Sequence, residues 1–275
     1  MMTGVPDIPG PALLFCPGDR PDRYAKAAAR ADAVIIDLED SVAPDAKDGA
    51  REQLSQAWPQ LDPERTIVRV NPFGSPWWEQ DARAVRELGV RFVMLPKAEG
   101  AEPVRVLEPA RVIALCESAA GVLAAPAIAA EPGCAALTWG GEDLMADLGG
   151  ASSRRSAGGM HDVVVHARSS VLIAAAAHGK PAVDTVYLDI ADLDGLASEA
   201  REAAETGFRA KMCIHPGHAE PIREAFRPPE EEVRWARGVL KAAEENPSGV
   251  FRYEGRMIDA PLLGQARAVL RRAGE

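Results

Sequence analysis

Arg111–Leu148 reads RVIALCESAAGVLAAPAIAAEPGCAALTWGGEDLMADL, and its pattern decides the fold. Two apolar, strand-like runs, Val112–Cys116 and Ala135–Trp139, flank an Ala-rich helical segment, Ser118–Ala130. A strand, a helix and a strand of these lengths form a βαβ unit whose strands run parallel as neighbours. Each run ends in carboxylate: Glu117 after the first, Glu142 and Asp143 after the second. Parallel neighbours end at one edge of a sheet, so Glu117 and Asp143 face one small volume. Such a pair is either a metal site or an accident of topology.

Working outward, apolar runs bounded by turn or charged residues give eight strands. They are Ala12–Cys16, Val34–Leu38, Ile67–Val70, Phe92–Leu95, Val112–Cys116, Ala135–Trp139, Ala182–Tyr187 and Lys211–Ile214. Helical patterns separate them at Pro21–Ala31, Pro44–Trp58, Pro76–Leu88, Pro103–Leu107, Ser118–Ala130, His161–Gly179 and Asp192–Thr206, and Pro216–Phe226 follows the last. The strands are rich in Val, Ile and Leu with little alternation, as expected when both faces are buried. Eight βα units predict an α/β fold, a (β/α)8 TIM barrel over residues 11–226. The rival, a doubly wound open sheet, normally carries a Gly-rich phosphate turn after its first strand; here that turn reads PGDRPDR, with one Gly. Beyond Pro228–Pro229 the register changes. Residues 227–275 hold a charged amphipathic helix, an extended piece and a final helix, and are expected to form a C-terminal lid or oligomerisation segment.

Composition narrows the function classes. The net charge is −10 and no Lys/Arg-rich run occurs, which argues against a nucleic-acid partner. No apolar run reaches the roughly 20 residues of a membrane span. The start, MMTGVPDIPGP, does not have the basic-then-apolar form of a signal peptide, and the expected location is the cytoplasm. Cys16, Cys116, Cys134 and Cys213 are scattered and read as buried reduced thiols.

In a barrel the reacting groups lie at the C-terminal ends of the strands. In chain order those ends carry Asp19 and Arg20; Asp37, Glu39 and Asp40; Arg69 and Asn71; Lys97; Glu117; Glu142 and Asp143; Asp184 or Asp189; and His215. A rim of ionisable groups mixed in sign suits metal-assisted work on an oxyanion. Mg²⁺ takes hard oxygen ligands at roughly 2.0–2.1 Å and is usually held by one or two carboxylates, which Glu117 and Asp143 supply. Zinc is disfavoured, because the five histidines do not cluster at ligand spacing. Arg69 can fork onto a substrate carboxylate or a developing enolate oxygen. The competing structural role for Glu117 and Asp143 is a salt bridge with Arg69 or Lys97. His215, alone before a proline, reads as a strand-end hydrogen-bonder and stays outside the catalytic set.

The segments LLFCPGDRPDRYAKAA, VIIDLEDSVAPDAKDGAR, TIVRVNPFGSPWWEQD, VMLPKAE, IALCESAAG, WGGEDLMADLG, CIHPGHAEPI and GRMIDAPLLGQA run from Leu13 to Ala266. Together they resemble the citrate lyase beta-subunit-like branch of the HpcH/HpaI aldolase superfamily, which includes malyl-CoA and citramalyl-CoA lyases. The resemblance implies a (β/α)8 barrel and Mg²⁺ held by Glu117 and Asp143. It also implies keto-acid binding by Arg69, and a CoA path past Phe15 and Lys26. Asp259, in GRMID, resembles an acid/base that relatives deliver from a neighbouring subunit, and relatives form trimers or hexamers.

The implied reaction is retro-Claisen cleavage of a 3-hydroxyacyl-CoA (citramalyl-, malyl- or citryl-CoA type) into acetyl-CoA and a 2-keto acid. In it Gly141, Glu142 and Asp143 offer backbone N–H groups to the keto-acid carboxylate. Two alternatives stand beside it: an aldolase acting on CoA-free hydroxy-keto acids, and a citrate lyase beta subunit working on an acyl-carrier thioester. A non-catalytic scaffold is disfavoured by the presence of Glu117, Asp143 and Arg69.

Overall fold

The computed structural model describes residues 8–246 and 249–275, which divide into two compact units, one running to Ile222 and the other Arg223–Glu275. In the first, eight parallel strands close into a barrel. They are β1 (Ala12–Pro17), β2 (Ala33–Asp37), β3 (Thr66–Arg69), β4 (Phe92–Leu95), β5 (Arg111–Cys116), β6 (Cys134–Trp139), β7 (Ala182–Asp184) and β8 (Ala210–Cys213). Each pairs in parallel with the next, and β8 returns to β1 through Ala12, Leu13 and Leu14. The fold is the (β/α)8 barrel expected from the sequence.

The helices between strands are α1 (Pro21–Arg30), α2 (Lys47–Ala57), α3 (Trp78–Glu87), α4 (Glu102–Val106), α5 (Ala119–Ala130), α6 (Gly141–Asp147), α7 (Asp162–Ala177) and α8 (Leu193–Thr206). Local chemistry sets their starts. Pro21 opens α1 where its missing N–H costs nothing, and Ser118 and Asp192 cap α5 and α8 by accepting from the N–H groups of Gly121 and Gly195. Two elements depart from expectation. The short α6 follows β6 directly, and β7 stops at Asp184, three residues early, so Thr185–Tyr187 form an irregular rim.

Side chains alternate along each strand, and one set fills the barrel. Leu13, Ile35, Ile67, Met94, Ile113, Val183 and Met212 belong to this buried interior. The opposite set faces the helices, and there the structure corrects the sequence reading. Asp184 is no rim acid: it accepts from Arg168 of α7 at 3.1 Å and from the fully buried Lys211 of β8 at 2.9 Å. Glu199 of α8 lies 3.3 Å from the same ammonium group. Asp189 is exposed and caps a turn through the Ala191 N–H. Asp19 and Arg20 also stand apart from the interior, Arg20 pairing with Asp22 at the surface.

The second unit begins inside α9 (Ala219–Phe226) and holds α10 (Glu230–Glu245), the antiparallel hairpin β9 (Phe251–Tyr253) and β10 (Arg256–Ile258), and α11 (Ala260–Arg272). Ala236, Val239, Ile258, Ala266 and Val269 form its core. Among the described residues, no helix is long and apolar enough to cross a membrane.

Candidate active site

The alternation that fills the barrel also builds the site. Two residues beyond the interior Leu13, Ile35, Ile67 and Ile113, on the same face, stand Phe15, Asp37, Arg69 and Leu115, with Glu117 two residues further. β2 and β3 pair so that Asp37 lies beside Arg69. Arg69 donates from Nε and Nη2 to the two Asp37 oxygens at 2.7 and 2.8 Å, a bidentate charge-assisted fork. Its Nη1 is 3.0 Å from Glu39 Oε2, an ion pair without hydrogen-bond alignment, so that buried oxygen has no donor. The Phe15 ring packs against the guanidinium at 4.8 Å.

Lys97 follows β4 in the left-handed region, φ 47°. From there its backbone N–H donates to Glu117 Oε1 at 3.0 Å. Its ammonium group donates to Glu39 at 2.8 Å and lies 3.6 Å from Asp143 and 3.9 Å from Glu117. The buried Lys47 holds the Glu39 segment in place by donating to the Leu38 and Glu39 carbonyls at 2.8 and 2.9 Å.

The turn between β6 and α6 passes so close to Glu117 that a Cβ on Gly140 would stand 2.8 Å from its Oε2. Only glycine admits this approach without moving the carboxylate. Glu142 and Asp143 fall in the first turn of α6, the favourable end for acids. Glu142 accepts from the Ser153 hydroxyl. Arg154, next in the chain, stacks on Tyr187 at 4.9 Å and pairs with Glu199 at 2.5 Å.

These groups surround a cavity of about 460 Å³ lined by Phe15, Asp37, Asp40, Arg69, Glu117, Gly141, Glu142, Asp143 and Arg154, with apolar walls from Leu115, Trp139, Val186 and Met212. Of the residues singled out in the sequence, Phe15, Arg69, Glu117, Gly141, Glu142 and Asp143 come together here. Lys26 is exposed on α1 and does not line the cavity. Asp259 belongs to the second unit, where it caps α11 by accepting from the Leu262 N–H at 3.3 Å. His215 is exposed and accepts from the Gly217 N–H at 3.1 Å, a turn-forming role in keeping with its omission. Ser153 and Arg154 were missed; the Gly/Ser-rich stretch GGASSRRSAGG marks only a loop in the sequence.

Electrostatics divide the acids into two groups. Asp37 is buried, yet the Arg69 fork holds its carboxyl below the ordinary value. Glu117 has no such partner: burial, then the charges of Asp143 and Glu39, push it up to about 8. Burial also raises Glu39, against the pull of Arg69 and Lys97. Among the described residues, no three His, Cys, Asp or Glu side chains are grouped to hold a metal, so any ion here relies on a smaller donor set.

A family model described as HpcH/HpaI aldolase/citrate lyase matches residues 12–216. The chain belongs to this family. It is 50% identical to the citrate lyase subunit beta-like protein of Mycobacterium tuberculosis, over 97% of this chain and 96% of that protein. To the mitochondrial citramalyl-CoA lyase of Rattus norvegicus it is 31% identical, over 96% of this chain and 86% of the relative. A crystal structure of protein CitE from Mycobacterium tuberculosis, in complex with magnesium, acetoacetate and coenzyme A, matches with a TM-score of 0.89 and 50% identity. That match covers 97% of this chain and 99% of that chain.

Glu117 gives the metal-free protein a pH signature. The folded state keeps the Glu117 proton up to about pH 8, whereas an unfolded carboxyl releases it near 4.5. Folding therefore takes up a proton between those values, and stability falls as pH rises through that window. Urea unfolding in EDTA is expected to show a loss on the order of a few kcal/mol across it. Glu117→Gln should flatten this dependence; an unchanged slope in that variant contradicts the assignment.

Proposed function

We propose that this protein is a Mg²⁺-dependent carbon–carbon lyase. It cleaves a 3-hydroxyacyl-CoA, of the citramalyl-, malyl- or citryl-CoA type, into acetyl-CoA and a 2-keto acid by a retro-Claisen reaction. The observation that carries this reading is the charge imbalance at the barrel mouth. Among the described residues, the ion pairs of Asp37, Glu39, Asp40, Glu117 and Asp143 are all made to Arg69 and Lys97, while Arg154 in the same lining is paired with Glu199. Arg69 is committed to Asp37 and Lys97 to Glu39, leaving Glu117 and Asp143 without a closely bonded cation. Two hard carboxylates are the donor set that suits Mg²⁺, which keeps water in its remaining positions. When bound, the ion eases deprotonation of a chelated hydroxyl and offsets charge on the keto-acid oxygens.

The remaining steps belong to side chains and backbone. Arg69 keeps unshared Nη hydrogens and lines the cavity, so it can donate to the thioester oxygen as that atom takes on enolate charge. Its fork to Asp37 and its contact with Phe15 hold the guanidinium in one orientation beforehand. The first-turn N–H groups of α6, from Gly141 to Asp143, have no acceptor within the helix and can donate to the keto-acid carboxylate. In cleavage the hydroxyl proton is lost to solvent and the C–O bond becomes the keto carbonyl. The bond between the hydroxyl-bearing carbon and the carbon next to the thioester breaks, its electron pair passing into the thioester enolate. Asp259 then protonates the carbon next to the thioester, yielding acetyl-CoA. That Asp259 comes from the same chain or from a neighbouring subunit of a trimeric or hexameric homo-oligomer. Phe15 and Lys26 mark the CoA path.

The relatives favour a CoA thioester over the CoA-free aldolase and acyl-carrier readings: one is named for citramalyl-CoA, and the solved CitE structure holds coenzyme A. The test is a coupled assay of the pure protein with Mg²⁺ and citramalyl-, malyl- and citryl-CoA. At least one should release acetyl-CoA and the matching keto acid, and Asp143→Ala or EDTA should abolish the release. Full activity in either condition contradicts the metal role.

Asp259 needs a variant that separates chemistry from capping. Asn caps a helix as well as Asp does, so Asp259→Asn should leave unfolding stability within about 0.5 kcal/mol. Turnover in the same variant should fall roughly 10²–10⁴-fold. Undiminished turnover excludes Asp259 as the proton donor.

A further inference from the structure

We propose that Lys97 is the resident cation of this site. Its ammonium group stands within 4 Å of the Glu117 and Asp143 carboxyl groups while no divalent ion is bound, and a divalent ion takes those two groups by displacing it. The inference rests on the reading of Glu117 and Asp143 as a Mg²⁺ pair and adds the group that competes with the ion.

The backbone provides the first argument. Lys97 and Glu254 are the only non-glycine residues with positive φ among those described. A lysine in the left-handed region is unfavourable and persists only where its surroundings impose it. Here the conformation turns one residue onto carboxylates from three separate strand ends. Its N–H is fixed on Glu117 Oε1 at 3.0 Å, and its side chain reaches Glu39, Asp143 and Glu117.

The distances provide the second. The ammonium group makes one hydrogen bond, to Glu39 at 2.8 Å. Its separations from Asp143 and Glu117, 3.6 and 3.9 Å, lie beyond hydrogen-bond reach but well within strong Coulombic attraction. Lys97 is therefore anchored on Glu39 and only attends the other pair. It can surrender Glu117 and Asp143 to another cation without losing its anchor. Its side chain is 39% exposed on a flexible stem, which gives the ammonium group room to withdraw toward solvent. Glu39, linked to Arg69 on one side and Lys97 on the other, keeps both cations within the site.

Competition between two cations predicts a thermodynamic pattern that a purely structural lysine does not give. Calorimetric titration of Mg²⁺ into the full-length protein should show Lys97→Met binding the ion roughly tenfold more tightly than the unsubstituted protein. Lys97→Arg, which keeps the charge, should stay close to it. In thermal unfolding, Lys97→Met should be destabilised in EDTA and recover most of the loss in saturating Mg²⁺. Lys97→Gln serves as a second neutral variant should Lys97→Met fail to fold without the ion. Unchanged or weaker Mg²⁺ binding in the neutral variants, with equal destabilisation in both conditions, overturns the inference. Should the unsubstituted protein take up no Mg²⁺, the metal reading falls with it. Uptake that Asp143→Ala removes but neutral Lys97 variants do not tighten overturns the role of Lys97 alone.

Discussion

Carboxylates drawn out of water must find cations or give up their charge, and the mouth of this barrel is built around that constraint. The interior alternation of β2, β3 and β5 carries Asp37, Arg69 and Glu117 upward from an apolar core, where solvent can screen little of their interaction. Arg69 neutralises Asp37 through two short hydrogen bonds and gains support from Phe15 beneath it. Lys97 adopts an unfavourable backbone conformation to bring a second positive charge over Glu39, Glu117 and Asp143. What remains is more carboxyl than cation, and Glu117, pushed up to about 8 by burial and acidic neighbours, is the acid that gives up its charge. A divalent ion relieves this imbalance, and the proposed activity uses the ion that relieves it.

A second set of buried charges shows what a solely structural arrangement looks like in the same molecule. Asp184, Lys211 and Arg168 lie between the sheet and α7, and there the cations suffice: two of them hold Asp184 below its ordinary value despite complete burial. Trp139 donates to Asp184 as well, at 2.9 Å, which ties this layer to a wall of the cavity. The contrast separates scaffold from site. A satisfied acid has its cations at hydrogen-bonding distance, whereas Glu117 has only a backbone N–H and an ammonium group 3.9 Å away.

The strand–helix rhythm was legible because each strand is a short apolar run and each helix an amphipathic or Ala-rich one. Closure into a barrel followed from their number. Which strand-end charge points inward was not legible. Strands buried on both faces carry no apolar–polar alternation, so Asp37 and Asp184 look alike in the sequence although one lines the cavity and the other faces the helices. Glu117 and Asp143 were readable because they lie just beyond adjacent strands. Lys97 was readable as a salt-bridge partner of Glu117 and Asp143, but its anchoring on Glu39 depends on a positive φ and on an ion pair spanning 58 residues of chain, neither of which sequence spacing carries. The short α6 has a weak start signal in the sequence, because Gly140 and Gly141 open it without a side-chain cap.

The central claim is that Glu117 and Asp143 form a divalent-cation pair at the mouth of the barrel. Its most direct test is an anomalous difference map from crystals of the protein equilibrated with Mn²⁺, a close stand-in for Mg²⁺ that scatters anomalously. The account predicts a strong peak within bonding distance of both carboxylates, with the Lys97 ammonium group moved away from them. A map with no peak there, or with Lys97 still between the two acids in fully loaded crystals, would contradict it.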